Sequence, residues 1–162
     1  ELAHYDEAVD RYQDIFRKCC MYRVEAYEGI RELLEFLKSQ GILIAVLSNK
    51  PHPRTLDNVE GVFGKGYFNL VYGEREDKGI RKKPCPDGVW AIAEELGLSK
   101  SEILYLGDTN TDMETGDNAK VDTVGVTWGF RTREELMAFH PALIADHPSR
   151  VVQYIKDVNG IE

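Results

Sequence analysis

The feature that most constrains this chain is the stretch Ile103-Leu104-Tyr105-Leu106-Gly107-Asp108-Thr109-Asn110-Thr111-Asp112. Four apolar or aromatic residues run up to a glycine, and an aspartate follows at once. A short continuous apolar run closed by turn residues reads as a buried strand of a parallel sheet. In open α/β sheets, ligands bind just beyond the carboxyl ends of such strands, which is where Asp108 falls. Asp112 comes four residues later, as the chain turns toward the next helix. Two carboxylates about 4 Å apart repel by about 4 kcal/mol at an effective dielectric of 20. A cation beside them relieves that cost, and an all-oxygen site with few ligands suits Mg²⁺. Taken alone, a helix-capping turn plus a solvated acid explains these ten residues equally well, so the rest of the chain has to decide.

That rest alternates between helix and strand. Leu2, Tyr5, Val9, Tyr12, Phe16 and Cys19 recur at spacings of three and four, one face of an amphipathic helix. Ile30, Leu33, Leu34 and Leu37 mark a second helix, stopped by Gly41 as a left-handed cap. Residues 42–47 (Ile-Leu-Ile-Ala-Val-Leu) form the first predicted buried strand, ending at Ser48-Asn49-Lys50. Pro51 and Pro53 open a third helix. A short strand is predicted over 68–72, then a polar loop over 73–83. Pro84 and Pro86 introduce a helix that Gly97 closes. Ser99 with Glu102 has capping-box spacing, although the next strand follows so soon that only a tight turn fits. Beyond Asp108 come a short helix over 113–119, a strand over 121–126 and a loop at Trp128-Gly129-Phe130. A helix capped by Thr132 and Glu135, a strand over 143–145 and a final helix complete the order. The pattern predicts an α/β fold, a doubly wound parallel sheet.

Composition narrows the function. A net charge of −8 opposes nucleic-acid binding, which rests on phosphate neutralisation, yet leaves room for a small anionic substrate. Cys19, Cys20 and Cys85 have no paired spacing, so reduced thiols in a cytoplasmic protein are expected. No apolar run approaches the roughly 20 residues needed to span a bilayer, and no signal-peptide pattern is present.

Three loops at or near the carboxyl ends of strands carry complementary polar groups. Ser48-Asn49 offers a hydroxyl and backbone N–H groups suited to a phosphate, though a serine there also serves as a helix cap. Lys83 precedes Pro84-Cys85-Pro86, whose prolines limit where its ammonium can point; Lys82 competes for the role. Asp108 and Asp112 supply a metal-binding end. Together, Leu47-Ser48-Asn49-Lys50, Lys83-Pro84-Cys85-Pro86 and Gly107-Asp108-Thr109-Asn110-Thr111-Asp112 resemble the second, third and fourth motifs of the haloacid dehalogenase-like (HAD) hydrolase superfamily. Tyr27-Glu28-Gly29-Ile30 and the run from Val126 to Arg131, followed by Arg133-Glu134-Glu135-Leu136, resemble its phosphoglycolate phosphatase branch.

The resemblance implies Mg²⁺-dependent phosphoryl transfer from a small phosphorylated metabolite through an aspartyl-phosphate. Asp108 would ligate the metal, and Asp112 would support it directly or through water. Ser48 would bond a phosphate oxygen with help from the Asn49 backbone, and Lys83 would neutralise charge. It also implies a domain plan: residues 1–25 as the last helix of a helical cap with its hinge, and 26–162 as the core.

One departure weighs against the matches. The family's first motif, Asp-x-Asp-Gly-Thr after a central strand, is nowhere in the sequence. Its first aspartate is the covalent nucleophile, and attack needs in-line placement near about 3 Å. The chain alone is therefore expected to lack phosphatase activity. Losing a buried central strand also removes a stabilisation comparable with that of a whole domain. An N-terminal segment carrying that motif, or a swapped copy, is the expected missing partner; the opening on Glu1 rather than Met agrees. Pyrophosphatase and sugar-phosphate mutase chemistry stay open within the superfamily, as does a non-catalytic binding or regulatory domain. A receiver-like phospho-acceptor domain fits poorly, because Ser48 and Lys83 precede Asp108 in sequence.

Overall fold

The computed structural model describes residues 4–19 and 21–161; Leu2 and Cys20 of the predicted N-terminal segment lie outside them. Helix α1 (Tyr5–Cys19) is followed by α2 (Ile30–Ser39), strand β1 (Ala45–Pro51), α3 (His52–Phe63), β2 (Leu70–Glu74) and α4 (Asp87–Leu96). Then come β3 (Leu104–Gly107), α5 (Asn110–Ala119), β4 (Asp122–Val126), α6 (Arg133–Met137), β5 (Leu143–Ala145) and α7 (Pro148–Asn159). Ser99 and Glu102 form their capping box on a single 3₁₀ turn, Lys100–Glu102, which is the tight turn the spacing allowed.

Gly41 ends α2 as expected. Its φ is +69°, its N–H reaches Lys38 O at 3.0 Å, and Ile42 N–H reaches Leu37 O at 2.9 Å, a Schellman closure. That closure delays the first strand. Parallel pairing begins at Ala45 opposite Leu70, not at Ile42, because the Asn69 side chain stands in for one rung. Ile44 N–H donates to Asn69 Oδ1 at 2.9 Å, and Asn69 N–H donates back to Ile44 O at 2.9 Å. The strand then runs on through Ser48, Asn49 and Lys50, with a bulge before Pro51 meets Glu74.

Strands β1 and β2 make one parallel sheet, and β3, β4 and β5 make another in that order. In β4 the side chains alternate between two covered faces, as the pleat requires. Val124 and Val126 are buried with Leu33 of α2 and with Val151 and Ile155 of α7. On the opposite face, Thr123 meets Gly116 of α5, and Gly125 meets Leu136 of α6. Helices on both faces make this a doubly wound α/β core.

The sequence predicts a buried first strand, and here the structure differs: Ala45, Asn49 and Pro51 are exposed and the rest of β1 is only half-buried. Burial of a strand depends on its neighbours, and among the described residues β1 pairs only with β2 and β3 only with β4. Between the two sheets lies a cavity of about 640 Å³, lined by residues 42–47 on one side and 103–108 on the other. Leu33, Val89 and Ile155 close its faces, and Lys83, Asp108 and Asp112 stand at one end. Helix α1 keeps Tyr5, Tyr12 and Ile15 exposed, while the Lys50 ammonium of β1 lies 5.6 Å from the centre of the half-buried Phe16 ring.

Candidate active site

The site is built where β3 gives way to α5. Gly107 allows the close approach: a Cβ there would lie 2.1 Å from Asp112 Cβ. Thr109 caps α5, accepting the Asp112 N–H at 3.2 Å, while its own N–H and hydroxyl donate to Asp112 Oδ2 at 3.1 and 2.6 Å. The capping reading of this loop is thus correct, but the solvated acid is not. Asp112 is 5% exposed, and its Oδ1 accepts from Lys83 Nζ at 2.7 Å and from the Tyr105 hydroxyl at 3.2 Å.

Burial presses the Asp112 carboxyl upward. The Lys83 ammonium, aided by the Thr109 and Tyr105 hydrogen bonds, outweighs it and holds the group below the usual carboxylate range. Burial, and next the Asp112 charge, push the Tyr105 phenol well above its ordinary value, so it remains a donor. Four donors occupy the two oxygens of Asp112, which fills a carboxylate's usual capacity.

Asp108 is held differently. Its Oδ2 accepts the Phe130 N–H at 3.0 Å, and its carbonyl accepts the Arg131 N–H at 3.2 Å. Gly129 makes this possible, since a Cβ there would lie 2.1 Å from Asp108 Oδ2. Asp108 Oδ1 has no hydrogen-bond partner among the described residues. One free carboxylate oxygen at the end of this cavity suits a hard cation such as Mg²⁺, which would take an oxygen ligand there. Asp112, with its accepting sites taken by these four donors, has none left in this arrangement for a metal or for a metal-bound water. No group of three or more His, Cys, Asp or Glu side chains with metal-binding geometry occurs among the described residues, so a closed all-protein cage is not on offer.

Lys82 and Lys83 part company. Lys82 pairs outward with Glu76 at 3.0 Å, whereas Lys83 turns inward to Asp112. Arg81 forks onto Asp87 in the first turn of α4 at 2.7 and 2.8 Å, staking down the segment just before them. Asn49 joins Lys83 by its side chain: Oδ1 accepts the Lys83 N–H at 2.8 Å, and Nδ2 donates to the Lys83 carbonyl at 3.0 Å. The Ser48 hydroxyl accepts the Lys50 N–H at 3.1 Å and reaches this group only through its neighbour Asn49. So Lys83, Asp108 and Asp112 share one cavity end, Asn49 touches Lys83, and Ser48 stands one residue away.

Tyr105, Thr109 and the Phe130 amide join the site beyond the residues that the motifs mark. Thr109 carried a legible signal, three residues before an acid at a strand-to-helix turn. Tyr105 reads as one more apolar residue of a buried strand.

A family model of haloacid dehalogenase-like hydrolases matches residues 2–126. The chain is 28% identical over 153 residues to a phosphoglycolate phosphatase of Pectobacterium atrosepticum, covering 94% of this chain and 64% of that protein. It is 30% identical over 156 residues to an N-acetylmuramic acid 6-phosphate phosphatase of Pseudomonas aeruginosa, covering 92% and 64%. In fold it is similar to a haloacid dehalogenase-like hydrolase, SP0104, from Streptococcus pneumoniae. The TM-score is 0.83 at 22% identity, over 94% of this chain and 70% of that one. The chain thus spans just under two thirds of the length of these two phosphatases. With three motifs in order, a doubly wound core and an acid-lysine site at the strand ends, the chain belongs to the haloacid dehalogenase-like hydrolase family, on its phosphoglycolate phosphatase-like branch.

Proposed function

We propose that the protein carrying this chain is a Mg²⁺-dependent phosphatase of small phosphate monoesters, phosphoglycolate-like in substrate size. Its nucleophilic acid would come from a strand seated between β1 and β3. The observation that carries this reading is the Lys83–Asp112 pair at the end of the cavity between two unpaired strand edges, beside the free oxygen of Asp108. Unpaired backbone on both sides of an apolar slot is what an added strand satisfies. Such a strand would end beside Lys83, where an acid on it would meet the ammonium.

In this reading Asp108 holds the metal, and the metal supplies charge for the transferring phosphoryl group and its orientation. Lys83 neutralises charge on the nucleophile and the phosphoryl oxygens while Asp112, fixed by Thr109 and Tyr105, aims the ammonium. Ser48 donates its hydroxyl to a phosphate oxygen. The names of the two relatives, each acting on a small phosphorylated compound, agree with a monoester substrate. Free Cys19 and Cys85 agree with a cytoplasmic setting, and no described helix is long and apolar enough to cross a membrane.

Screening the full-length protein against phosphate monoesters with Mg²⁺ tests the proposal. Turnover is expected, and Asp108→Asn should abolish the metal-dependent turnover. Metal-dependent turnover left intact by Asp108→Asn would overturn the assignment.

A further inference from the structure

Asn49 follows Ser48 on β1, 34 residues before Lys83, and its side chain is exposed. Asparagine is a poor strand residue, and burial does not demand it there. Its amide nevertheless does something few side chains can, offering an acceptor and a donor side by side. Both are used on one residue, since the Lys83 N–H and the Lys83 carbonyl are held at 2.8 and 3.0 Å. The pair imitates a rung of a sheet between a side chain and a main chain.

We propose that Asn49 is a positioning residue for Lys83. Its side-chain amide clamps the lysine's main chain so that the ammonium arrives at the phosphoryl site with Asp112 already in place. The inference rests on the phosphatase reading for its catalytic consequence, but not for the clamp itself. Lysine is a point charge on a flexible four-carbon stem, so the placement of its Cα decides how much of its reach is useful. The neighbouring peptide is anchored from the other sheet as well: Asn118 of α5 donates Nδ2 to the Pro84 carbonyl at 2.9 Å. The lysine segment is thereby tied to β1 by Asn49 and to α5 by Asn118, bridging the two sheets at the mouth of the cavity. Because Asn49 is next to Ser48, the same tie sets the spacing between the hydroxyl and the ammonium that would share one phosphate. Alanine loses both bonds and leaves the spacing free.

The test uses the full-length protein with Asn49→Ala, Lys83→Ala and the double variant, in two measurements. The first is acetylation of individual lysines by acetic anhydride, read by peptide mass spectrometry. Asn49→Ala should raise labelling of Lys83 about tenfold and leave Lys82 unchanged. The second is steady-state turnover of a phosphate monoester. Asn49→Ala should lower kcat about tenfold to a hundredfold with KM little changed, as a misplaced group does. The double variant should be no slower than Lys83→Ala, because Asn49 acts only through that lysine. Unchanged Lys83 labelling, or a double variant slower than Lys83→Ala by the full single-variant factor, would overturn the proposal. A labelling rise shared by all lysines would mean a general loss of fold and would equally count against a specific clamp. If the wild type turns over no phosphate monoester, the phosphatase reading fails, while the labelling result still decides whether Asn49 holds Lys83.

Discussion

Replacing Lys83 with methionine keeps most of the stem and removes the ammonium, leaving Asp112 charged in a site where it is 5% exposed. At 2.7 Å and an effective dielectric of 20, the pair attracts by about 6 kcal/mol before desolvation is counted. Desolvation of two largely buried groups cancels much of this, and breaking such a pair from one side usually costs about 3–5 kcal/mol. Asp112 keeps the two Thr109 donors and the Tyr105 hydroxyl, so the lower end applies, about 3 kcal/mol. Urea unfolding followed by tryptophan fluorescence reads this directly. With a slope of about 2 kcal/mol per molar, the midpoint should fall by about 1.5 M at pH 7. Adding Asp112→Asn should cost less than the sum of the two single changes, because each single change already breaks the pair. A Lys83→Met loss under about 1 kcal/mol, or strict additivity in the double variant, would refute this account of the ion pair.

The same pair sets a pH dependence. The Asp112 carboxyl is lowered in the folded state, so its contribution is present above the ordinary value of 3.8 and is lost as pH falls through the lower folded value. Lys83→Met removes the ammonium that lowers that carboxyl, so its folded value lies above the wild type's. The stability gap between the two, widest near neutrality, should narrow as pH falls through the variant's value and close below the wild type's, and a constant gap from pH 7 to pH 3 would contradict this. Gly129→Ala places a Cβ 2.1 Å from Asp108 Oδ2 and should cost about 1–3 kcal/mol while weakening Mg²⁺ binding about tenfold by titration calorimetry. Unchanged Mg²⁺ affinity in that variant would remove the loop after β4 from the site.

Much of this was legible because it rests on local patterns. An apolar run ending in Gly-Asp placed β3 and Asp108, and Thr-x-x-Glu placed the start of α6 at Thr132 and Glu135, where the structure has a capping box. Gly41 and Gly97 stop their helices in the left-handed conformation that the sequence predicts. The misreadings lie in side-chain contacts that the hydrophobic pattern does not carry. Strand β1 starts three residues late because a single asparagine side chain, Asn69, takes the place of a backbone rung. Helix α5 starts at Asn110 rather than 113, since the Thr109 cap gathers Asp112 into its first turn. Tyr105 reads as core, and only the fold brings its hydroxyl to a carboxylate seven residues on. The sequence points to the Asn49 backbone, whereas its side chain makes the contact, with a residue 34 positions away that no periodicity reveals. Likewise Lys82 and Lys83 differ in sequence only by adjacency to Pro84, and Glu76 is what draws one of them outward.

The proposed function puts the lysine, hydroxyl and acids of a phosphoryl-transfer site within residues 1–162 and the covalent acid on a strand between β1 and β3. Turnover of a phosphate monoester with Mg²⁺ by a chain limited to residues 1–162, measured beside the full-length protein, tests this most directly. Background hydrolysis is expected for the former and metal-dependent turnover for the latter. Metal-dependent turnover by residues 1–162 alone would contradict it.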